Sequence, residues 1–225
     1  METTGSGQYL RQLLPALHQV SPSDTYILFV PRYISARMRD APSWARVRVL
    51  PTPFDRIQEN LAKLWFEQVA FPRACQKSDV DVAHVPYFAP PRYPSVPTVV
   101  TIHDLIPLLL PAYRGSAPVR LYTQLVAHAA RRVPLVLTDS RASARDIERL
   151  LQIPPERIRT VYLATGSLYR PLSPEEWRPT LARLEIMPPY VLYLGGFDVR
   201  KNVAGLLRAW AQARAIRVFM SLAWR

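Results

Sequence analysis

The chain has 225 residues, 49% of them hydrophobic, a formal net charge of +12 and one cysteine, Cys75. That composition fills a core and excludes a disordered chain, and a lone cysteine excludes an internal disulfide and fits a reducing cytoplasm. No apolar run reaches the roughly 18 residues of a membrane-spanning helix, and residues 1–10 lack the basic flank and apolar stretch of a secretory leader. The basic side chains are scattered arginines, with Lys63, Lys77 and Lys201 the only lysines and no run of five positive charges. That distribution argues against nucleic acid. It suits an anionic lipid surface, where each charge gives about 1 kcal/mol, or it is arginine-rich composition with no partner.

Helical and extended patterns alternate along the chain. Leu10, Leu13, Leu14 and Leu17 follow an amphipathic helical spacing. Residues 25–30 and 47–50 read as short strands, and Ile57, Leu61, Leu64, Trp65 and Val69 mark a longer helix. Residues 79–85 and 98–102 read as strands buried on both faces, since their apolar residues are nearly continuous. Tyr122, Leu125, Val126 and Ala129 form the next helical stripe. Residues 135–138 are a strand, Ser140 is the expected N-cap of a helix carrying Ile147, Leu150 and Leu151, and residues 158–163 are a further strand. This rhythm predicts an α/β fold, a parallel sheet with helices on both faces. Residues 165–189 break it with prolines and polar residues, and read as a linker holding at most one short helix. It restarts with a strand at 190–194, a turn at Gly195 and Gly196, and a helix carrying Val203, Leu206, Leu207 and Trp210.

Four stretches bear on chemistry. In 191–207 a strand runs through Gly195 and Gly196 and the basic pair Arg200 and Lys201 into a helix, the arrangement that gathers phosphate. The alternative is a tight turn with two solvated basic side chains. In 98–107 a buried strand ends at His103 and Asp104, where open parallel sheets bind ligands. The alternative is a histidine that caps a strand end. In 3–14, Gly5 and Gly7 form a glycine loop opening into a helix, or a disordered terminus. Asp79 and Asp81 spell D-x-D, and their place before a buried strand favours a turn over a metal site. The histidines and Cys75 show no metal-ligand spacing.

Together the segments GSGQYLRQLLPAL (5–17), DVAHVPYFAPP (81–91), TVVTIHDLIPLLLPAYR (98–114), LVLTDSRASARDIERLLQIPPERIRTVYLATG (135–166) and YVLYLGGFDVRKNVAGLLRAW (190–210) resemble glycosyltransferase family 4, enzymes of the GT-B fold, in content and order. The resemblance implies a Rossmann-like acceptor-side domain at 1–168, a linker at 169–188, and the start of a nucleotide-sugar-binding domain at 189–225. It implies transfer of a sugar from a nucleoside diphosphate to a glycan or lipid-linked acceptor, with retention, without a metal, and with no cofactor, the nucleotide sugar being a substrate. Nucleic acid is no partner in this picture. A cytoplasmic location, with contact at the inner face of the membrane, follows from such acceptors. His103 matches the family histidine near donor sugar and acceptor. Arg200, Lys201, Gly5 and Gly7 match diphosphate-binding positions, and Gly195 and Gly196 supply loop backbone. Asp104 matches by position without an assigned step.

Two departures stand out. Only residues 1–4 precede Gly5, where the family has its first strand. The Glu-x7-Glu motif of the family's C-terminal domain is missing, and residues 216–225 leave the family pattern. The expectation is therefore a partial reading frame with little or no transfer activity alone. The alternative is a non-catalytic acceptor-binding module or one half of a split enzyme.

Overall fold

The computed structural model describes residues 5–35, 41–166, 169–187 and 190–223, with side chains up to residue 213. The chain divides into two compact units, Met1–Leu168 and Tyr169–Arg225.

The first unit opens with α1 (Gly5–Val20), then β1 (Ile27–Pro31), the single turn α2 (Arg32–Ser35) and β2 (Arg46–Leu50). β1 and β2 pair in parallel, Ile27 opposite Arg46 through Pro31 opposite Leu50. His18 of α1 stacks on Trp44 at 4.3 Å, with Tyr26 edge-on to both, which ties the end of α1 to the start of this sheet.

Next come α3 (Glu59–Trp65), a π turn (Phe66–Ala70) and α4 (Phe71–Lys77). Pro72 explains the π turn: it has no N–H for the carbonyl of Gln68, and its ring crowds that carbonyl. Widening the turn to i→i+5 bonding relieves the conflict without ending the helix.

A second sheet holds β3 (Ala83–Val85), β4 (Thr98–Thr101), β5 (Leu135–Thr138) and β6 (Ile158–Thr160), all parallel and in sequence order. Between β4 and β5 lie α5 (Ile106–Leu109), a 3₁₀ turn (Pro111–Tyr113) and α6 (Ala117–Ala130); between β5 and β6 lie α7 (Arg141–Leu151) and a 3₁₀ turn (Pro155–Arg157). Register sets Val85, Val100, Val136 and Ile158 side by side on one face. There they pack with Ile102, Ala130, Ile147 and Leu151 in the main core. Because side chains alternate along a strand, His84, Thr101 and Leu137 fall on the opposite face, where the Tyr9 hydroxyl of α1 reaches Thr101. Helices thus flank both faces, as the continuous apolar pattern of β4 predicts.

The strands expected over 79–85 and 158–163 are shorter at one end. Asp79 takes a left-handed turn, φ 46°, so the D-x-D pair opens the strand from a turn. Ser140 caps α7, its Oγ accepting from the Ser143 amide at 3.0 Å.

The second unit holds α8 (Pro174–Arg183), a 3₁₀ turn (Val199–Lys201) and α9 (Val203–Ala223). α8 lies within the segment read as linker. It starts with a capping box, Ser173 and Glu176 each bonding the other's backbone. The strand expected over 190–194 is corrected: those residues make no ladder, and Val191, Leu192 and Leu194 are exposed. An apolar run becomes a strand only when a neighbouring strand takes its N–H and C=O groups. No described strand does so here.

Candidate active site

The C-terminal ends of β4 and β5 bring the chemistry of the first unit together. Past β4 the chain continues as Ile102, fully buried, and His103. The Ile102 amide bonds the Leu137 carbonyl at 2.8 Å, so the sheet still grips the chain one residue before the histidine. From β5 come Thr138 and then Asp139. From α1 comes Tyr9, whose ring meets His103 edge-on at 5.0 Å.

His103 is held on every side. Its Nε2 lies 3.2 Å from the Pro86 carbonyl, and Nδ1 lies 3.0 Å from Asp139 Oδ2. A carbonyl only accepts, so Nε2 carries a proton in this arrangement. The Asp139 carboxylate at Nδ1 fixes the orientation of the ring from the other side. The backbone is fixed as well: Ser143 Oγ of α7 donates to the His103 carbonyl at 2.8 Å. Asp104 accepts from the Ile106 amide at 3.0 Å, a turn-capping contact that leads into α5.

Beneath lies Thr101, its hydroxyl 2.8 Å from His84 Nε2 and 3.3 Å from the Tyr9 hydroxyl. Burial, and then the neighbouring His103, push the His84 imidazole down to about 4, so it stays neutral near pH 7. A cleft of about 10 Å³ opens between Tyr9, Thr101, Thr138, Asp139 and Val161. It has room for one hydroxyl-sized group, not a sugar ring. Two buried oxygens at this cleft, Thr138 Oγ1 and Asp139 Oδ1, have no hydrogen-bond partner among the described residues.

The second unit carries the glycine turn. Gly195 has φ +154°, and a Cβ there would meet the Tyr193 hydroxyl at 2.8 Å; Gly196 has open space. The Tyr193 hydroxyl bonds the Gly196 carbonyl at 2.7 Å. Arg200 and Lys201 lie in the 3₁₀ turn just before α9. The Asp198 carboxylate caps that turn through the Arg200 amide at 3.0 Å and pairs with the Arg200 guanidinium at 3.4 Å. Asn202, at φ 48°, joins the turn to α9 and accepts from the Gly205 amide. Arg200 therefore shares its charge with Asp198.

Residues 3–165 match the sequence profile of Glycosyltransferase Family 4. The chain belongs to glycosyltransferase family 4. It is also similar to O-antigen chain mannosyltransferase B of Escherichia coli, 36% identical over 113 residues that cover 50% of this chain and 30% of that protein.

Within this family 4 chain the sequence-derived positions divide three ways. His103 stands at the C-terminal edge of the parallel sheet. Gly195 and Gly196 lie at a bend of the second unit, and Arg200 and Lys201 in the separate 3₁₀ turn that follows it. Gly5 and Gly7 do not form a loop: both lie in the first turn of α1, Gly5 exposed and Gly7 buried. Once a helix is nucleated each further residue adds cheaply, and the good helix formers from Gln8 to Leu14 offset about 1 kcal/mol per glycine. Sequence reasoning missed Tyr9, Thr101, Thr138 and Asp139. Asp139 had a signal: it follows β5 as His103 follows β4. Tyr9 had none, because its role depends on how α1 docks.

Proposed function

We propose that the protein transfers a sugar from a nucleoside diphosphate to a glycan or lipid-linked acceptor, with retention of configuration and without a metal. The observation that carries this is the His103–Asp139 pair at the C-terminal edge of a family 4 sheet, beside the small cleft lined by Thr138 and Asp139. The donor's bond from anomeric carbon to phosphate oxygen breaks, and its electron pair leaves with the diphosphate. The acceptor oxygen forms the new bond, and its proton passes to the leaving diphosphate. In this reading His103 stands beside the reacting centre, its ring held between Asp139 and the Pro86 carbonyl. Arg200 and Lys201 meet the charge that develops on the diphosphate, electrostatic stabilisation of the kind that contributes about 10²–10³ in rate. Gly195 and Gly196 let backbone approach the phosphates. Gly5 and Gly7 enter this reading only as the first turn of α1, a helix N-terminus of the kind that attracts phosphate. A lipid-linked acceptor brings the protein to the cytoplasmic face of a membrane, where its +12 charge meets anionic headgroups. No helix among the described residues is long and apolar enough to cross a membrane.

The name of the E. coli relative supports mannose as the first donor sugar to test. The protein is tagged at its chromosomal locus, purified with whatever accompanies it, and given a panel of nucleoside-diphosphate sugars with glycan and lipid-linked acceptors. One donor is expected to be consumed, and Asp139→Asn to lower kcat/KM about 100-fold or more with the fold unchanged. Turnover of no donor, or full activity in Asp139→Asn, contradicts the reading.

A further inference from the structure

We propose that Glu67 and Gln68, on the π turn between α3 and α4, are positioning residues that hold His103 through the loop 86–92; this rests on the placement of His103 in the site. The loop's Pro86 carbonyl is the partner of His103 Nε2. That carbonyl belongs to the peptide bond joining Pro86 to Tyr87, so whatever fixes Tyr87 fixes the direction in which the carbonyl points.

The π turn fixes it three times. Tyr87 donates its phenol to Glu67 Oε1 at 3.0 Å. Gln68 donates through Nε2 to the Pro90 carbonyl at 3.4 Å and accepts at Oε1 from the Arg92 amide at 2.8 Å. Consecutive side chains thus grip the start, middle and end of one loop. The carboxylate is itself anchored. Tyr122 of α6 donates to Glu67 Oε2 at 2.7 Å, and Lys63 stands 3.9 Å from Oε1.

Glu67 is 2% exposed. Replacing a buried charge cluster with apolar packing is often neutral or stabilising, so its presence argues for geometry rather than stability. π turns of this type recur at functional sites. Neither Glu67 nor Gln68 touches His103, so their effect passes through the Pro86–Tyr87 peptide.

The test reads the His103 ring in the full chain labelled with ¹⁵N-histidine, its signals assigned with His103→Ala. Tyr87→Phe and Gln68→Ala each cut part of the grip. Both are expected to shift the His103 ring ¹⁵N signals and to speed exchange of the Nε2 proton with water on the order of fivefold, the worth of one ordinary hydrogen bond. Glu67→Gln keeps an acceptor for Tyr87 and is expected to stay near wild type. Tyr26→Phe removes a phenol bonded elsewhere, to the Leu17 and Ser21 carbonyls, and is expected to leave His103 unchanged. If Tyr87→Phe does not fold, Gln68→Ala decides. Wild-type His103 signals in every folded loop variant overturn the proposal. Shifted signals in a protein whose His103→Ala variant still transfers sugar support the positioning and remove His103 from the reaction.

Discussion

Two histidines, His84 and His103, flank the end of β4 and face different surroundings. His103 is partly exposed and has an acid partner in Asp139. His84 is partly buried against Thr101 with no acid in contact among the described residues, and burial and then the nearby His103 push its imidazole down to about 4. The sign of the consequence follows from proton counting. Between about pH 4 and its ordinary value near 6.5, the unfolded chain holds a proton on His84 that the folded chain does not. The associated stability is full above that window and is lost as pH falls through it, up to about 3 kcal/mol. Urea denaturation from pH 7 to 4 is expected to show this loss in the wild type and its absence in His84→Gln. Parallel curves for the two proteins would remove the buried neutral histidine. Sequence placed His103 correctly after β4, because the end of a buried strand is visible in one dimension. It missed Asp139 although the same rule reaches it, and it left His84 unassigned, because a partner across a sheet face becomes visible only through register.

At the scale of elements, α7 links packing to the site. Ser140 caps its first turn, and Ser143, one of the residues so ordered, donates to the His103 carbonyl. The cap was legible because a serine directly before a helical apolar pattern has few other uses. Ser140→Ala is expected to cost about 1 kcal/mol of stability, measured by urea denaturation at pH 7. A loss below about 0.3 kcal/mol would mean that the cap does not hold the helix end, since the weakest such caps are worth about 0.5 kcal/mol. α3 to α4 teaches the reverse lesson. Its apolar spacing predicted one long helix, and the π turn at its centre was hidden, because Pro72 announces a conflict without saying how the backbone resolves it. Glu67, placed by that turn, is buried. Burial pushes its carboxyl above the usual range, against the pull of Lys63, Tyr122 and Tyr87.

For the molecule as a whole, the alternation of strands and helices gave the parallel α/β architecture of the first unit nearly element by element. The same reasoning failed at 190–194 for a physical reason. Apolar content records a preference for burial, while a strand requires a neighbour, and the described residues supply none. The 3₁₀ turn that carries Arg200 and Lys201 forms all the same, since it depends on local backbone and the Asp198 cap. The proposed transfer assigns roles to His103 and Asp139 in the first unit and to Arg200 and Lys201 in the second. The decisive measurement is kcat/KM for transfer from the preferred nucleoside-diphosphate sugar by the natively purified protein and its His103→Ala variant. A fall of about 100-fold or more, with the fold intact by circular dichroism, is expected of a residue at the reacting centre. Transfer by His103→Ala within a few-fold of wild type would contradict it.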